Sequence, residues 1–95
     1  MKLNFEQFTV PMGISGRKSR TGDARESIAD LIYLNVNGIR AHALAMKIYN
    51  SEGAEEYDRA EVSLIKRIAD EYCTPAFIDG LRAQIQEGGG DESDI

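Results

Sequence analysis

The sequence predicts a mainly α, α+β fold: about four helices in one compact orthogonal bundle, with a short β-hairpin at the N-terminus. Three observations carry that reading. The chain has 95 residues, 42% apolar and 28% charged, which suits one globular domain. Phe8, Val10, Met12 and Ile14 alternate with Thr9, Pro11, Gly13 and Ser15, the two-residue period of a strand. Four later segments repeat apolar residues at helical spacing, each bounded by capping or glycine signals.

Pro11 lacks an N–H and belongs at a sheet edge. Gly13-Ile14-Ser15-Gly16 can turn the chain, so that Arg17 to Thr21 returns beside the first strand. A two-stranded hairpin is marginal alone in water, so residues 1–22 should lie over the helices. Asp23 and Glu26 are spaced like a capping box, and Ala24, Ile28, Leu31 and Ile32 form the apolar stripe of a first helix. Arg25, Glu26 and Asp30 fall away from that stripe. Asn35-Val36-Asn37-Gly38 can end the helix through a left-handed cap.

A second helix is expected from about Ile39 to Asn50. Ala41, Leu44, Ala45 and Ile48 share one face, and Ala43 and Met46 widen it, which suggests a central position. The third helix begins near Asp58, with Glu61 again at capping-box distance and Val62, Ile65, Ile68, Ala69 and Tyr72 facing the core. Thr74-Pro75 opens a fourth, a side-chain cap followed by proline at the first helical position. It presents Phe77, Ile78, Leu81 and Ile85, with Gly80 weakening it modestly. The expected core is therefore Leu31, Leu44, Ile48, Ile65, Ile68, Phe77 and Leu81. One domain covers residues 1–87, and 88–95 reads as a disordered acidic tail after three glycines.

The net charge of −5 is unevenly spread. Residues 1–25 hold five basic and two acidic side chains, a net +3, while residues 26–95 hold six basic and fourteen acidic ones, a net −8. An acidic body repels phosphate backbones, so nucleic-acid binding would rest on the N-terminal segment alone. Cys73 is the only cysteine and has no thiol partner for a disulfide or a metal site. No apolar run approaches the ~18 residues that span a bilayer, and no signal-peptide core follows Met1. The expectation is a cytoplasmic protein with no membrane partner.

Gly13-Ile14-Ser15-Gly16-Arg17-Lys18-Ser19 resembles a phosphate cradle, but Arg17 stands where a P-loop requires glycine. The Gly-x-x-Gly clamp of RNA-binding KH domains joins two helices, whereas this segment follows a strand. A hairpin turn accounts for it. Arg17, Lys18, Arg20 and Arg25 are the only basic cluster and the candidate contact for a partner protein or nucleic acid; a solvated hairpin tip is the plainer alternative. No aromatic residue is interleaved to stack bases.

A helix-turn-helix reading of the first two helices would leave only Arg40 and His42 to meet base edges, on a helix that looks buried. His42 and Cys73 have no neighbouring pattern of base or nucleophile. No catalytic, cofactor-binding or metal-ligating residue is therefore assigned. Glu52, Glu55, Glu56, Asp58 and Glu61 lack the EF-hand order and suit the positive end of a helix dipole. Tyr33, Tyr49, Tyr57 and Tyr72, with Phe77, read as core and core-edge groups whose hydroxyls reach water.

The run from His42-Ala-Leu-Ala-Met-Lys-Ile-Tyr-Asn-Ser-Glu-Gly to Ala-Glu-Glu-Tyr57, then Glu61, Leu64-Ile-Lys66 and Cys73-Thr-Pro-Ala-Phe77, resembles a family of small proteins from bacterial prophages and related mobile elements. Ala29-Asp-Leu-Ile-Tyr33 and the phenylalanine-containing N-terminal strand are similar too, so the likeness spans about Leu3 to Leu81. These are mostly core and cap positions. The resemblance implies a fold and a phage or mobile-element accessory role, and brings no activity or residue role with it. The expected function is a non-enzymatic interaction protein whose partner is another protein or a second copy. The alternative is a nucleic-acid-associated regulator using the basic hairpin.

Overall fold

The computed structural model describes residues 1–88. Its N-terminal segment enters two separate antiparallel pairs rather than one hairpin. Strand β1 (Lys2–Asn4) pairs with β4 (Ala54–Glu56), which sets Leu3 opposite Glu55. Strand β2 (Phe8–Pro11) pairs with β3 (Ser19–Gly22), which sets Phe8 opposite Gly22. The expected hairpin over residues 1–22 is thus confined to residues 8–22. The break is local: the Asn4 side chain accepts from the Gln7 N–H at 2.9 Å, and Glu6 accepts from the Gly53 N–H at 2.7 Å.

The hairpin continues past its strands, with the Met12 N–H donating to Lys18 O at 2.8 Å. Antiparallel alternation then makes Met12–Lys18, Val10–Arg20 and Phe8–Gly22 the hydrogen-bonded pairs. Thr9 and Pro11 turn their backbone groups away from β3. Pro11 therefore occupies a position where no ladder donor is missed, as its edge assignment requires.

Helix α1 (Arg25–Asn35) lacks the capping box that its sequence suggested. Ala24 is its N-cap, and Asp23 instead accepts from the Arg25 N–H at 2.9 Å and holds the Arg25 guanidinium at 2.7 Å. Gly38 does not close α1 either. Val36, in extended conformation, ends that helix, and Gly38 uses its positive φ of 108° to enter α2 (Ile39–Tyr49) as the N-cap. At α3 (Arg59–Tyr72) the capping box forms as expected: Asp58 accepts from the Glu61 N–H at 2.8 Å, and Glu61 accepts from the Asp58 N–H at 2.9 Å. Thr74 accepts from the Phe77 N–H at 3.3 Å and starts α4 (Pro75–Gly88). That helix is described as far as Gly88, the first residue of the expected disordered acidic tail (88–95), and residues 89–95 lie outside the described residues.

The four helices with two small strand pairs make a mainly α, α+β globule. Its core includes Leu44, Ile48, Ile65, Ile68 and Leu81 from the expected set, with Leu31 and Phe77 half-buried at its margin. Leu3, Phe5, Phe8 and Tyr57 are buried as deeply. The N-terminal strands are therefore part of the core rather than a cover over it. Four rings run through the centre: Tyr57 edge-on to Phe5 at 5.9 Å, Phe5 stacked with Phe8 at 5.7 Å, and Phe8 stacked with Phe77 at 4.5 Å.

Helix α4 anchors both strand pairs. Gln84 donates to Asn4 O at 2.9 Å and accepts from the Asn4 N–H at 2.7 Å, so its amide pairs with β1 as a neighbouring strand would. Gly80 is buried against β2, where a Cβ would stand 2.4 Å from the Thr9 carbonyl oxygen. Sequence reading made this glycine a weak point of the helix; it is the position that lets helix and strand touch. No helix among the described residues is long and apolar enough to cross a membrane.

Candidate functional site: a cleft between two helices

Helices α1 and α2 are joined by only three residues, Val36 to Gly38, and pack side by side. Glu26, Ala29, Asp30 and Tyr33 recur on α1 at positions i, i+3, i+4 and i+7, and His42, Ala45, Met46 and Tyr49 repeat the same spacing on α2. Such sets share a helix face. The small buried side chains of Ala29 and Ala45 form the floor. The walls rise as Tyr33, Met46 and Tyr49, and Glu26 and Asp30 complete the lining of a cleft of about 290 Å³. His42 lies outside the lining, beside its turn end, with its ring 5.8 Å from that of Tyr33.

This surface gathers several large exposed side chains. Tyr33 is 58% exposed, Tyr49 52% and Met46 44%, and Leu34 and Ile39 stand open beside the connecting turn. Single exposed apolar groups mean little, but aromatic and methionine side chains gathered around one cleft are the composition of interaction surfaces. No basic side chain lines the cleft, so its charge is that of Glu26 and Asp30.

Sequence reading placed Tyr33, Tyr49 and Tyr72 at the core edge and made α2 central. Instead α2 buries only Ala41, Leu44, Ala45 and Ile48, leaving Ala43 and Met46 exposed, and Tyr72 is half out in solvent. The signal was present as a second stripe on each helix, with alanine where the helices meet and tyrosine or methionine outside. Tyr57 departs in the opposite sense. Its hydroxyl is buried with no hydrogen-bond partner among the described residues. Burial pushes its phenol up to about 12, against a smaller opposing pull from the Ser51 hydroxyl. That hydroxyl donates to Ile48 O at 2.7 Å, and its approach to Tyr57 falls short of hydrogen-bond geometry.

The four basic candidates separate. Arg25 is held at the base of α1 by Asp23 and by the Ser51 carbonyl at 2.7 Å, with Glu6 at 4.0 Å. The guanidinium in turn holds the Asp23 carboxyl below the usual carboxylate range, chiefly through its hydrogen bond. Arg25 is a structural clamp. Arg17, Lys18 and Arg20 remain together on the distal hairpin, all exposed. With Met12 64% exposed and Ile14 fully so, residues 12–20 form an arm bearing three cations and no acid.

The acidic residues around the turn before α3 have structural positions. Glu55 sits in β4, Asp58 and Glu61 cap α3, and Glu61 also holds Lys47 at 3.1 Å. Among the described residues no three His, Cys, Asp or Glu side chains gather as metal ligands. His42 is exposed, and its imidazole makes no hydrogen bond to a described residue. Cys73 is half-buried, which raises its thiol pKa and makes it a poorer nucleophile at neutral pH. Neither lines the cleft between α1 and α2.

The fold and its open surface define a small α+β domain with an unpartnered helix-pair face. The chain matches no family model, no curated protein and no solved structure.

Proposed function

We propose that this chain is a non-enzymatic interaction module, an accessory protein of a prophage or mobile element that binds a protein through the α1–α2 cleft. The observation that carries the binding half is the exposed trio Tyr33, Met46 and Tyr49 above a small-residue floor, with Glu26 and Asp30 beside it. Partly exposed aromatic side chains of this kind contribute most when a partner desolvates them. The genomic half rests on the sequence resemblance. The half-buried thiol and solitary imidazole favour the non-enzymatic reading.

A photo-crosslinking side chain at position 49, in the protein's native cells, should capture one protein species. The same group at exposed Arg67 on α3 should not. Tyr33→Asp should abolish the capture. Equal labelling from both positions would count against the cleft.

A second reading has one observation in its favour. The arm ends in a fully exposed Ile14 beside Arg17, Lys18 and Arg20, and DNA-bending ribbons combine basic side chains with an apolar wedge in this way. Against it stands the net −8 of residues 26–95. This reading expects duplex retardation at low salt that is lost when Arg17, Lys18 and Arg20 become alanine. Three phosphate contacts give a salt slope of about −3 at most, so absence of retardation at low salt removes it.

A further inference from the structure

We propose that the arm of one copy docks into the α1–α2 cleft of a second copy, so that the protein associates head to tail. The inference rests on the interaction reading of the cleft and names its occupant. The arm offers Met12 and Ile14 together with Arg17, Lys18 and Arg20, and no acidic residue lies between Gln7 and Gly22. The cleft offers Tyr33, Met46 and Tyr49 together with Glu26 and Asp30, and no base lines it. The two surfaces match in apolar character and oppose in sign. Both stand open within one copy.

Charge also selects the arrangement. Two clefts meeting about a two-fold axis would set Glu26 and Asp30 against their own copies. Two arms meeting would bring six cations together. Like charges brought together across an interface cost several kcal/mol, whereas opposite ones steer encounter. Arm against cleft is the pairing without that cost. Because its two halves differ, one contact does not satisfy both copies: the copy that gives its arm keeps its cleft open, and the copy that receives it keeps its arm free. Association continues until the copies close on themselves, a reciprocal pair being the smallest such closure.

The test uses the full chain and sedimentation velocity over a concentration series at low and high salt. Wild-type mass should rise with concentration and fall with salt. An arm variant, Ile14→Asp with Lys18→Glu, and a cleft variant, Asp30→Lys with Tyr49→Ser, should each associate at least about tenfold more weakly. All four positions are exposed, and circular dichroism checks that both variants fold. Mixed together, the two variants should form a one-to-one pair and stop there, since the intact arm of one meets the intact cleft of the other.

Three results would overturn the proposal. A wild-type chain that stays monomeric does so. If only the cleft variant dissociates, the clefts face each other instead. If the arm variant loses duplex binding while wild type does not self-associate, the arm belongs to nucleic acid. Self-association can fail while position 49 still captures another protein, and then only the identity of the occupant is lost. Failure of capture as well removes the interaction reading itself.

Discussion

Alanine at position 80 is expected to destabilise the protein by about 1–3 kcal/mol, although alanine is the better helix former by about 1 kcal/mol. The added Cβ would stand 2.4 Å from Thr9 O, 3.1 Å from the Phe8 ring and 3.2 Å from the Val10 side chain. The nearest of these is backbone. Thr9 turns its carbonyl away from β3 because it occupies a non-hydrogen-bonded position of the ladder, and that orientation aims it at α4. A carbonyl fixed in a strand cannot swing aside as a flexible side chain could. Helix and strand must separate, and the 4.5 Å stack of Phe8 on Phe77 opens with them. Urea denaturation of Gly80→Ala against wild type measures the loss. Gly13→Ala, where a Cβ meets nothing within 4 Å, serves as the control and should stay within about 0.5 kcal/mol. A Gly80→Ala protein more stable than wild type would contradict the close approach.

At Tyr57 the two obvious substitutions should part company. Tyr57→Ala empties a fully buried site and should cost about 3–5 kcal/mol. Tyr57→Phe keeps the ring, its edge contact with Phe5 at 5.9 Å and the Lys47 ammonium 4.6 Å above it, and removes a hydroxyl that has no partner among the described residues. Deleting an unsatisfied buried polar group is neutral or favourable, so the variant should equal wild type or exceed it by about 1 kcal/mol.

The same hydroxyl predicts a pH dependence. Burial raises the phenol from 10.0 to about 12, because the phenolate is poorly solvated there. A pKa raised on folding contributes stability that is whole below pH 10 and is lost as pH climbs towards 12. The stability advantage of Tyr57→Phe should therefore widen across that interval. Parallel curves for the two proteins would mean that the hydroxyl reaches water.

The sequence disclosed most where one residue acts through its own backbone. Thr74-Pro75 and Asp58…Glu61 opened helices where expected, and Pro11 took the outward position of a ladder, because each effect is local and needs no tertiary partner. Asp23…Glu26 shows the limit of spacing alone. A capping box has the same letters whether or not a neighbouring guanidinium claims the acid, and Arg25 claims it. The left-handed cap expected from Asn35 to Gly38 does not form: Gly38 takes a positive φ of 108° in an extended, not left-handed helical, conformation and serves the following helix.

Strand β4 was illegible for a different reason. Ala54-Glu55-Glu56 has poor intrinsic strand preference and is held by β1, which lies about fifty residues earlier in the chain. The cleft fell between these cases. Its residues follow helical spacing, but a second apolar stripe looks like an extension of the first until the packing shows which one is covered. The arm was visible as a basic cluster, and only the structure separates Arg25 from Arg17, Lys18 and Arg20.

The ties between the two ends of the described chain govern when it can fold. Asn4 meets Gln84, Phe8 meets Phe77, and Leu3 and Phe5 wait for the segment around Glu55 and Tyr57. During synthesis Leu3, Phe5 and Phe8 thus leave the ribosome well before the residues they pack against. Helices α1 and α2 can collapse on each other early, but the aromatic centre closes only after α4 has emerged. Until then Leu3, Phe5 and Phe8 are bare, and the growing polypeptide is most exposed to misassociation just before α4 is complete.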